Sequence, residues 1–275
     1  MLLAAADAVV AHPLQFGIWK LQFTGFGIAV VMAFVVAQIV LQRMMERRGH
    51  DPSAVGDMVI GAIVGGLLGA KLYFVFILGN EGAFFSRGGF VFWGGFVGGT
   101  IGVLLVARIK RVPLLRTVEA GAPAVAAAYA VGRTGCWTVG DDYGRPWSGP
   151  LAVQFPEGAP PSTAGMMASE FGVTFPSGTD PNLLVAVHPT QLYEVAMALV
   201  MFAIIWRLRN HAQREGWLLG MYLALAGVER FIVEFFRAKD DALAFGLTIA
   251  QVIACAAFVA GVAWLVALRR RPVTA

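Results

Sequence analysis

VGRTGCWTVGDDYGR, residues 131–145, decides how the chain is read. It carries Arg133, Asp141, Asp142 and Arg145 at the point where an apolar helical run gives way to glycine-rich backbone. At the centre of a bilayer an arginine costs roughly 2.5–3.5 kcal/mol even on the lenient insertion scale, so a charge at the end of a membrane helix marks a site by default. Working outward, the apolar run before this stretch, residues 115–133, is one of seven. The segment behind it, residues 146–187, is rich in Pro, Gly, Ser and Thr. That segment is too polar to span and too long for a plain connector.

Composition places the whole chain in a membrane. Hydrophobic residues make up 58% of its 275 positions and charged residues 14%, against about a quarter charged in an ordinary soluble domain. Long apolar runs predict a helix bundle, since barrel strands would read as short alternating segments. The net charge of +4 is spread over short loops rather than gathered in a patch, which argues against nucleic acid as a partner. Cys136 and Cys255 are too few for a disulfide framework. With four histidines and no paired spacing among them, no metal constellation is visible.

The predicted fold is an all-α polytopic membrane protein with seven transmembrane helices near 23–41, 58–78, 90–107, 115–133, 188–206, 217–236 and 243–268. Residues 1–22 have no basic residue before Lys20 and read as an interfacial segment that stays attached. Arg43, Arg47 and Arg48; Arg108, Lys110, Arg111 and Arg116; Arg207, Arg209 and Arg214; and Arg269, Arg270 and Arg271 all follow alternate spans. By the positive-inside rule these connections face the cytoplasm, with the N-terminus outside and the C-terminus inside. Residues 146–187 then form a small extracytoplasmic head or lid on a single transmembrane domain, 1–275. Lys71, Arg87, Arg133, Arg145, Arg230 and Arg237 fall in the outer layer, as do most of the acids, while Glu119 is the main charge in the inner half. Such a distribution fits one outward-facing polar site better than a channel or transporter, which needs polar residues at all depths.

Glycine is phased as well as abundant, at 33 residues. Gly61, Gly65 and Gly69 on the second span, and Gly94, Gly98 and Gly102 on the third, predict helices in close backbone contact.

Three further groups carry candidate chemistry. Arg230, Glu234 and Arg237 fall at i, i+4 and i+7, so one helical face would present two guanidiniums and a carboxylate. Arginine's planar fork matches phosphate oxygens, and the plainer alternative is an ion-pair cluster that fixes helix register. His188-Pro189-Thr190-Gln191-Leu192-Tyr193-Glu194 opens the fifth span, with His188 at the mouth and Gln191 a turn further in. Lys71 points to the same layer from the second span.

The pieces GGLLGAKLYFVF (65–76), GGFVGGTIGV (94–103), GRTGC and GDDYGR (132–145), HPTQLYE (188–194) and RFIVEFFR (230–237) occur in the order found in the prolipoprotein diacylglyceryl transferase family, which this chain resembles over about residues 20–265. The resemblance implies transfer of a diacylglyceryl group from phosphatidylglycerol to the lipobox cysteine of a prolipoprotein, with release of glycerol 1-phosphate. It also implies an enzyme of the bacterial cytoplasmic membrane whose active site faces the outer leaflet. Its partners would be membrane lipid and prolipoprotein signal peptides, and it needs no cofactor. Arg133 and Arg230 would engage the phosphate, with Glu234 and Asp141 orienting them. Asp141 stands where relatives usually carry glutamate. His188 is the candidate base, and Lys71, Gly144, Gln191, Glu194 and Arg237 complete the substrate site. Four positions depart from the family pattern: Cys136 replaces a signature asparagine, Trp93 a histidine, and Ala226 and Thr24 tyrosines. Those departures suggest a divergent member and give weight to a competing class, a non-catalytic phospholipid-binding or scaffold paralogue.

Overall fold

A computed structural model describes residues 8–19, 21–77, 79, 91–239, 243 and 246–269. Residues 1–7, Lys20, the 80–90 connection with Arg87, and the terminal Arg270 and Arg271 lie outside the described residues. Among the described residues the long helices are α1 (Gly25–Arg47), α2 (Val55–Leu72, extended by a π turn at Tyr73–Ile77), α3 (Phe92–Ile109), α4 (Leu114–Val139), α6 (Thr190–Arg207), α7 (Trp217–Glu234) and α8 (Ile249–Leu268), and α5 (Ala164–Phe171) is short. Four are long and apolar enough to cross a membrane: α1, α2 with its π turn, α6 and α8. The apolar part of α3, Trp93–Ile109, is shorter. α4 and α7 carry the charges that interrupt their apolar character, Arg116, Glu119 and Arg133 on one and Glu229, Arg230 and Glu234 on the other.

Local chemistry sets the helix ends. Thr24 caps α1 by accepting from the Gly27 N–H at 3.1 Å, and a reciprocal Thr248–Gln251 capping box starts α8 at Ile249, later than the apolar run suggested. Pro189 is the cap of α6 rather than a residue of its first turn. α4 continues beyond Arg133 to Val139 and stops at Gly140, whose φ of 67° is the left-handed conformation glycine adopts without strain. Arg133 is therefore held inside a helix, not at its lip.

The glycine phasing does what its spacing predicts. On α2 and α3, Cβ atoms added at Gly65, Gly69, Gly98 or Gly102 would collide with backbone carbonyls of the facing helix. α4 packs against α1, α6 and α7, and α7 also packs on α8. The main apolar core, with Met44, Met45, Met58, Ile205 and Leu218, fills the bundle near the start of α4.

A second, smaller core gathers Tyr143, Phe155, Met167, Val185 and Val187 with Ala238, and draws most of its members from residues 146–187. The segment contributes α5 and the strand β4 (Val153–Gln154), which pairs in parallel with β1 (Val9–Val10). β2 (Gln15–Ile18) and β3 (Leu21–Thr24) form an antiparallel hairpin ahead of α1. These strands are additions that apolar periodicity did not announce. At two to four residues each, they are too short to show alternation.

Candidate active site

Glu194 is the hub of a buried ion cluster. It lies in the first turns of α6 with no exposed surface. Arg133 of α4 donates Nη2 to its Oε2. On Oε1 it receives Arg230 Nη1 at 3.3 Å and the Tyr129 hydroxyl at 3.2 Å, while Arg237 Nη1 stands 4.0 Å away. One carboxylate thus gathers guanidiniums from α4, α7 and the segment after α7, so Arg133 and Arg230 meet at a single residue.

A second carboxylate bridges the same cations. Asp142 Oδ2 accepts from Arg133 Nη1 at 2.9 Å, and its Oδ1 from Arg237 Nη2 at 2.5 Å. The turn that aims it is held from α6, where Thr190 Oγ1 donates to the Asp142 carbonyl at 2.6 Å and Gln191 Nε2 to that of Asp141 at 2.5 Å. Asp142 itself adopts φ of 56°, a conformation that aspartate tolerates better than most residues. Burial acts to raise its carboxyl, yet the Arg237 and Arg133 guanidiniums overcome this and hold it well below the usual carboxylate range.

Asp141 was expected to orient the arginines, but the carboxylate at salt-bridge distance is that of Asp142. Asp141 instead faces Cys136, and burial together with the Asp142 charge pushes it above the usual range. Cys136 Sγ lies 3.2 Å from Arg133 Nη1. Ligand atoms of Cys136, Asp141 and Asp142 fall within 4.8 Å of one another, but both Asp142 oxygens are taken by arginine, so their charge is already compensated.

The third acid is Glu234, whose Oε2 is 2.9 Å from Arg230 Nη2 and 3.7 Å from Arg237 Nε. Neither oxygen accepts a hydrogen bond from the protein, and Nε of both Arg133 and Arg237 is also without one. Three guanidiniums pair with three carboxylates, with Lys239 and Asp141 beside them in the same electrostatic field, and hydrogen-bonding capacity is left over.

Arg237 reaches the cluster by a route the helical spacing did not foresee. The predicted i, i+4, i+7 face fails because α7 ends at Glu234 and the chain turns away. Arg237 then pairs in an antiparallel bridge with Gly144, and Arg145 donates its backbone N–H to the Phe236 carbonyl at 2.8 Å and its Nε to that of Arg237 at 3.0 Å. The bridge requires Gly144, because a Cβ there would collide with the Phe236 carbonyl.

His188 stands beside this bridge. Its ring stacks on Trp147 with centroids 4.3 Å apart, meets the edge of Phe236 and has Nδ1 3.2 Å from the Tyr193 hydroxyl. Burial lowers its pKa from the ordinary histidine value, which keeps it neutral at pH 7. Among the described residues its ring makes no hydrogen bond or ion pair to the guanidiniums. Lys71 is buried on α2, 5.8 Å from the centre of the Phe74 ring, on a helix that packs mainly against α3.

Sequence reasoning missed Tyr129 and Glu229 and gave Asp142 no role. Tyr129 lies one turn before Arg133 on the same helical face, a spacing that would have revealed it. Glu229 directly precedes Arg230 and is buried.

Comparison with known proteins shows the family. The family model described as prolipoprotein diacylglyceryl transferase matches residues 13–267. A protein of Clostridium tetani (strain Massachusetts / E88) named phosphatidylglycerol--prolipoprotein diacylglyceryl transferase is 30% identical over 257 residues, covering 91% of this chain and 95% of its own. One of the same name from Corynebacterium diphtheriae is 30% identical over 278 residues, covering 96% and 95%. Another, from Chlorobaculum tepidum, is 27% identical over 285 residues, covering 94% and 91%. With its charged residues gathered from α4, α6 and α7 and a match along nearly its whole length, the chain belongs to the prolipoprotein diacylglyceryl transferase family.

Proposed function

We propose that this chain transfers the diacylglyceryl group of phosphatidylglycerol to the cysteine thiol of a prolipoprotein signal peptide, releasing glycerol 1-phosphate. The observation that carries this reading is the convergence of Arg133, Arg230 and Arg237 on the buried carboxylate of Glu194. A phosphate leaving group gains negative charge as its C–O bond breaks. Fixed donors in a water-poor site stabilise such charge by about 3 kcal/mol each.

The thiol sulfur attacks the glyceryl carbon, the bond to phosphate oxygen breaks, and the electron pair leaves with the phosphate. Arg133 and Arg230 bind that phosphate, and Arg237 adds a third positive edge. Glu194 and Asp142 hold the three forks in place. Glu234, whose oxygens accept nothing from the protein, takes hydroxyl donors from the glycerol head group. Gln191 and Gly144 shape the wall, Asp141 borders it beside Cys136, and Lys71 lies along the lipid path from α2. His188, neutral at pH 7, receives the thiol proton at the mouth.

In the same reading the seven long helices all cross the bacterial cytoplasmic membrane, with the N-terminus outside and the C-terminus inside. Residues 146–187 form an extracytoplasmic head over the site, which opens to the outer leaflet. The alternate basic connections support this orientation.

The test uses purified protein, phosphatidylglycerol and a lipobox peptide. Thioether product from wild type, with little from Arg133→Ala or Arg230→Ala, is expected. Lipid binding without product from any version would overturn the enzymatic reading.

A further inference from the structure

Glu229 is a buried acid that the phosphate site does not use. It sits on α7 with 6% of its surface exposed, and no Lys, Arg or His among the described residues comes within 4.0 Å of its carboxylate to form an ion pair. Its hydrogen-bond partner is the Tyr129 hydroxyl at 3.4 Å, and that same hydroxyl lies 3.2 Å from Glu194. The groups around it are Tyr129 and Arg133 on α4, Glu194 on α6, and Tyr222 and Arg230 on its own helix. α8, which also packs on α7, carries no charged residue from Ile249 to Leu268, and its Cys255 is exposed.

A hydroxyl has one proton to donate, and here two carboxyl groups lie against it. Both contacts are satisfied only if one acid is protonated and donates back to the tyrosine oxygen. Glu194 is ion-paired with both Arg133 and Arg230, so it is the acid of the two that has cations of its own. An ionised carboxylate buried without a cation costs several kcal/mol and takes up a proton instead. The proton therefore belongs to Glu229, and the chain runs from the Glu229 O–H to Tyr129 Oη and from the Tyr129 O–H to Glu194 Oε1.

This order has a consequence for phosphate binding, and it rests on the reading given above. The ion-paired groups of the resting site already match, three guanidiniums against three carboxylates, with Lys239 and Asp141 next to them. An anionic phosphate that takes the Arg133 and Arg230 forks leaves Glu194 charged and short of cations. We propose that Glu229 holds a proton in the resting site and passes it through Tyr129 to Glu194 when phosphate takes over those guanidiniums. The Glu229 O–H bond breaks as its proton moves to Tyr129 Oη, and the tyrosine's own proton moves to Glu194. Glu229 ends as the carboxylate accepting from Tyr129, at the burial cost just named and offset by the removal of a charge beside the phosphate; Glu194 ends neutral, and the charge of the three groups together is unchanged. Negative charge has moved away from the incoming phosphate. Because Glu229 acts through Glu194, it is a positioning residue.

The test combines infrared difference spectroscopy and lipid binding on the whole protein in nanodiscs, with wild type, Glu229→Gln and Tyr129→Phe. Wild type should show a protonated-carboxyl band that Glu229→Gln lacks. Adding phosphatidylglycerol should shift that band in wild type and not in Tyr129→Phe. Wild-type affinity for phosphatidylglycerol should fall as pH rises, by at most about tenfold per pH unit, the slope of one proton. Glu229→Gln keeps a donor for Tyr129 but has no proton to give, so its binding should be weaker by about tenfold and flat with pH. A variant that matches wild type in affinity and pH profile would overturn the proposal. A wild type that binds the lipid without the band overturns the handover alone. A wild type with the band that binds no phosphatidylglycerol overturns the phosphate reading and the handover with it.

Discussion

Glu119, in the first turns of α4, and Glu194, on α6 where it faces the final third of α4, are both buried acids, yet they are satisfied in different ways. Glu119 receives backbone N–H groups from Gly216 and Leu218 on Oε2, at 2.9 and 3.0 Å, so it caps the start of α7. Its Oε1 takes Arg48 and His211, each at 2.6 Å. Glu194 is held by side chains alone: Arg133, Arg230 and Tyr129. Backbone donors stay where the fold puts them, whereas guanidinium forks turn toward a stronger acceptor. One cluster ties α1, α4 and the α6–α7 connection together, and the other is built to be rearranged.

The sharpest way to break this contrast is at Glu119. Replacing Glu119 with Ala leaves two helix N–H groups without an acceptor and takes the ion-pair partner from Arg48, and should cost about 3–5 kcal/mol of stability, measured by thermal unfolding in detergent. Should Glu119→Ala unfold at the wild-type temperature, the assignment of this cluster to architecture is wrong. Arg133→Ala should do the reverse, lowering transfer on the order of 10²–10³-fold while leaving Glu194 paired through Arg230 and Tyr129. A variant that loses stability and activity in parallel would erase the distinction between the clusters.

Two smaller effects sharpen it. Gly98→Ala places a methyl group against the Gly65 carbonyl and should cost about 1–3 kcal/mol, read as a lowered unfolding temperature with the lipid site intact. The smallest effect expected is the acid response of Asp142. Its depressed pKa means that its stabilising contribution is present above the unfolded aspartate value of about 3.9 and is lost as pH falls through the folded value below it. Its side chain is 40% exposed, so the contribution is held to roughly 1 kcal/mol by solvent screening. Unfolding of wild type and Asp142→Asn compared from pH 7 down to pH 3 should show the gap closing only at the acid end.

The helical class, the close α2–α3 contact and most residues of the charged cluster were legible in the sequence, because apolar runs, four-residue glycine spacing and costly charges are written along one chain. The nearness of Arg133 to Arg230 was also legible, since both charges fall in the same layer of the predicted bundle, and both pair with Glu194. The strands β1–β4 were not, being too short for periodicity to register.

What tertiary structure alone decided was pairing. Asp141 and Asp142 are adjacent in sequence and alike in chemistry, and only the turn held by Thr190 and Gln191 selects Asp142 for the arginines and leaves Asp141 beside Cys136. Arg237 was foreseen in the cluster for a helical reason that proved wrong, and the Gly144 bridge supplies the real one. Tyr129 could have been found from its place one turn before Arg133, whereas the role of Glu229 became visible only once α4, α6 and α7 were packed together. Burial cost depends on a residue's own chemistry and is read locally, but the partner that offsets it comes from another segment and is fixed only when the helices meet.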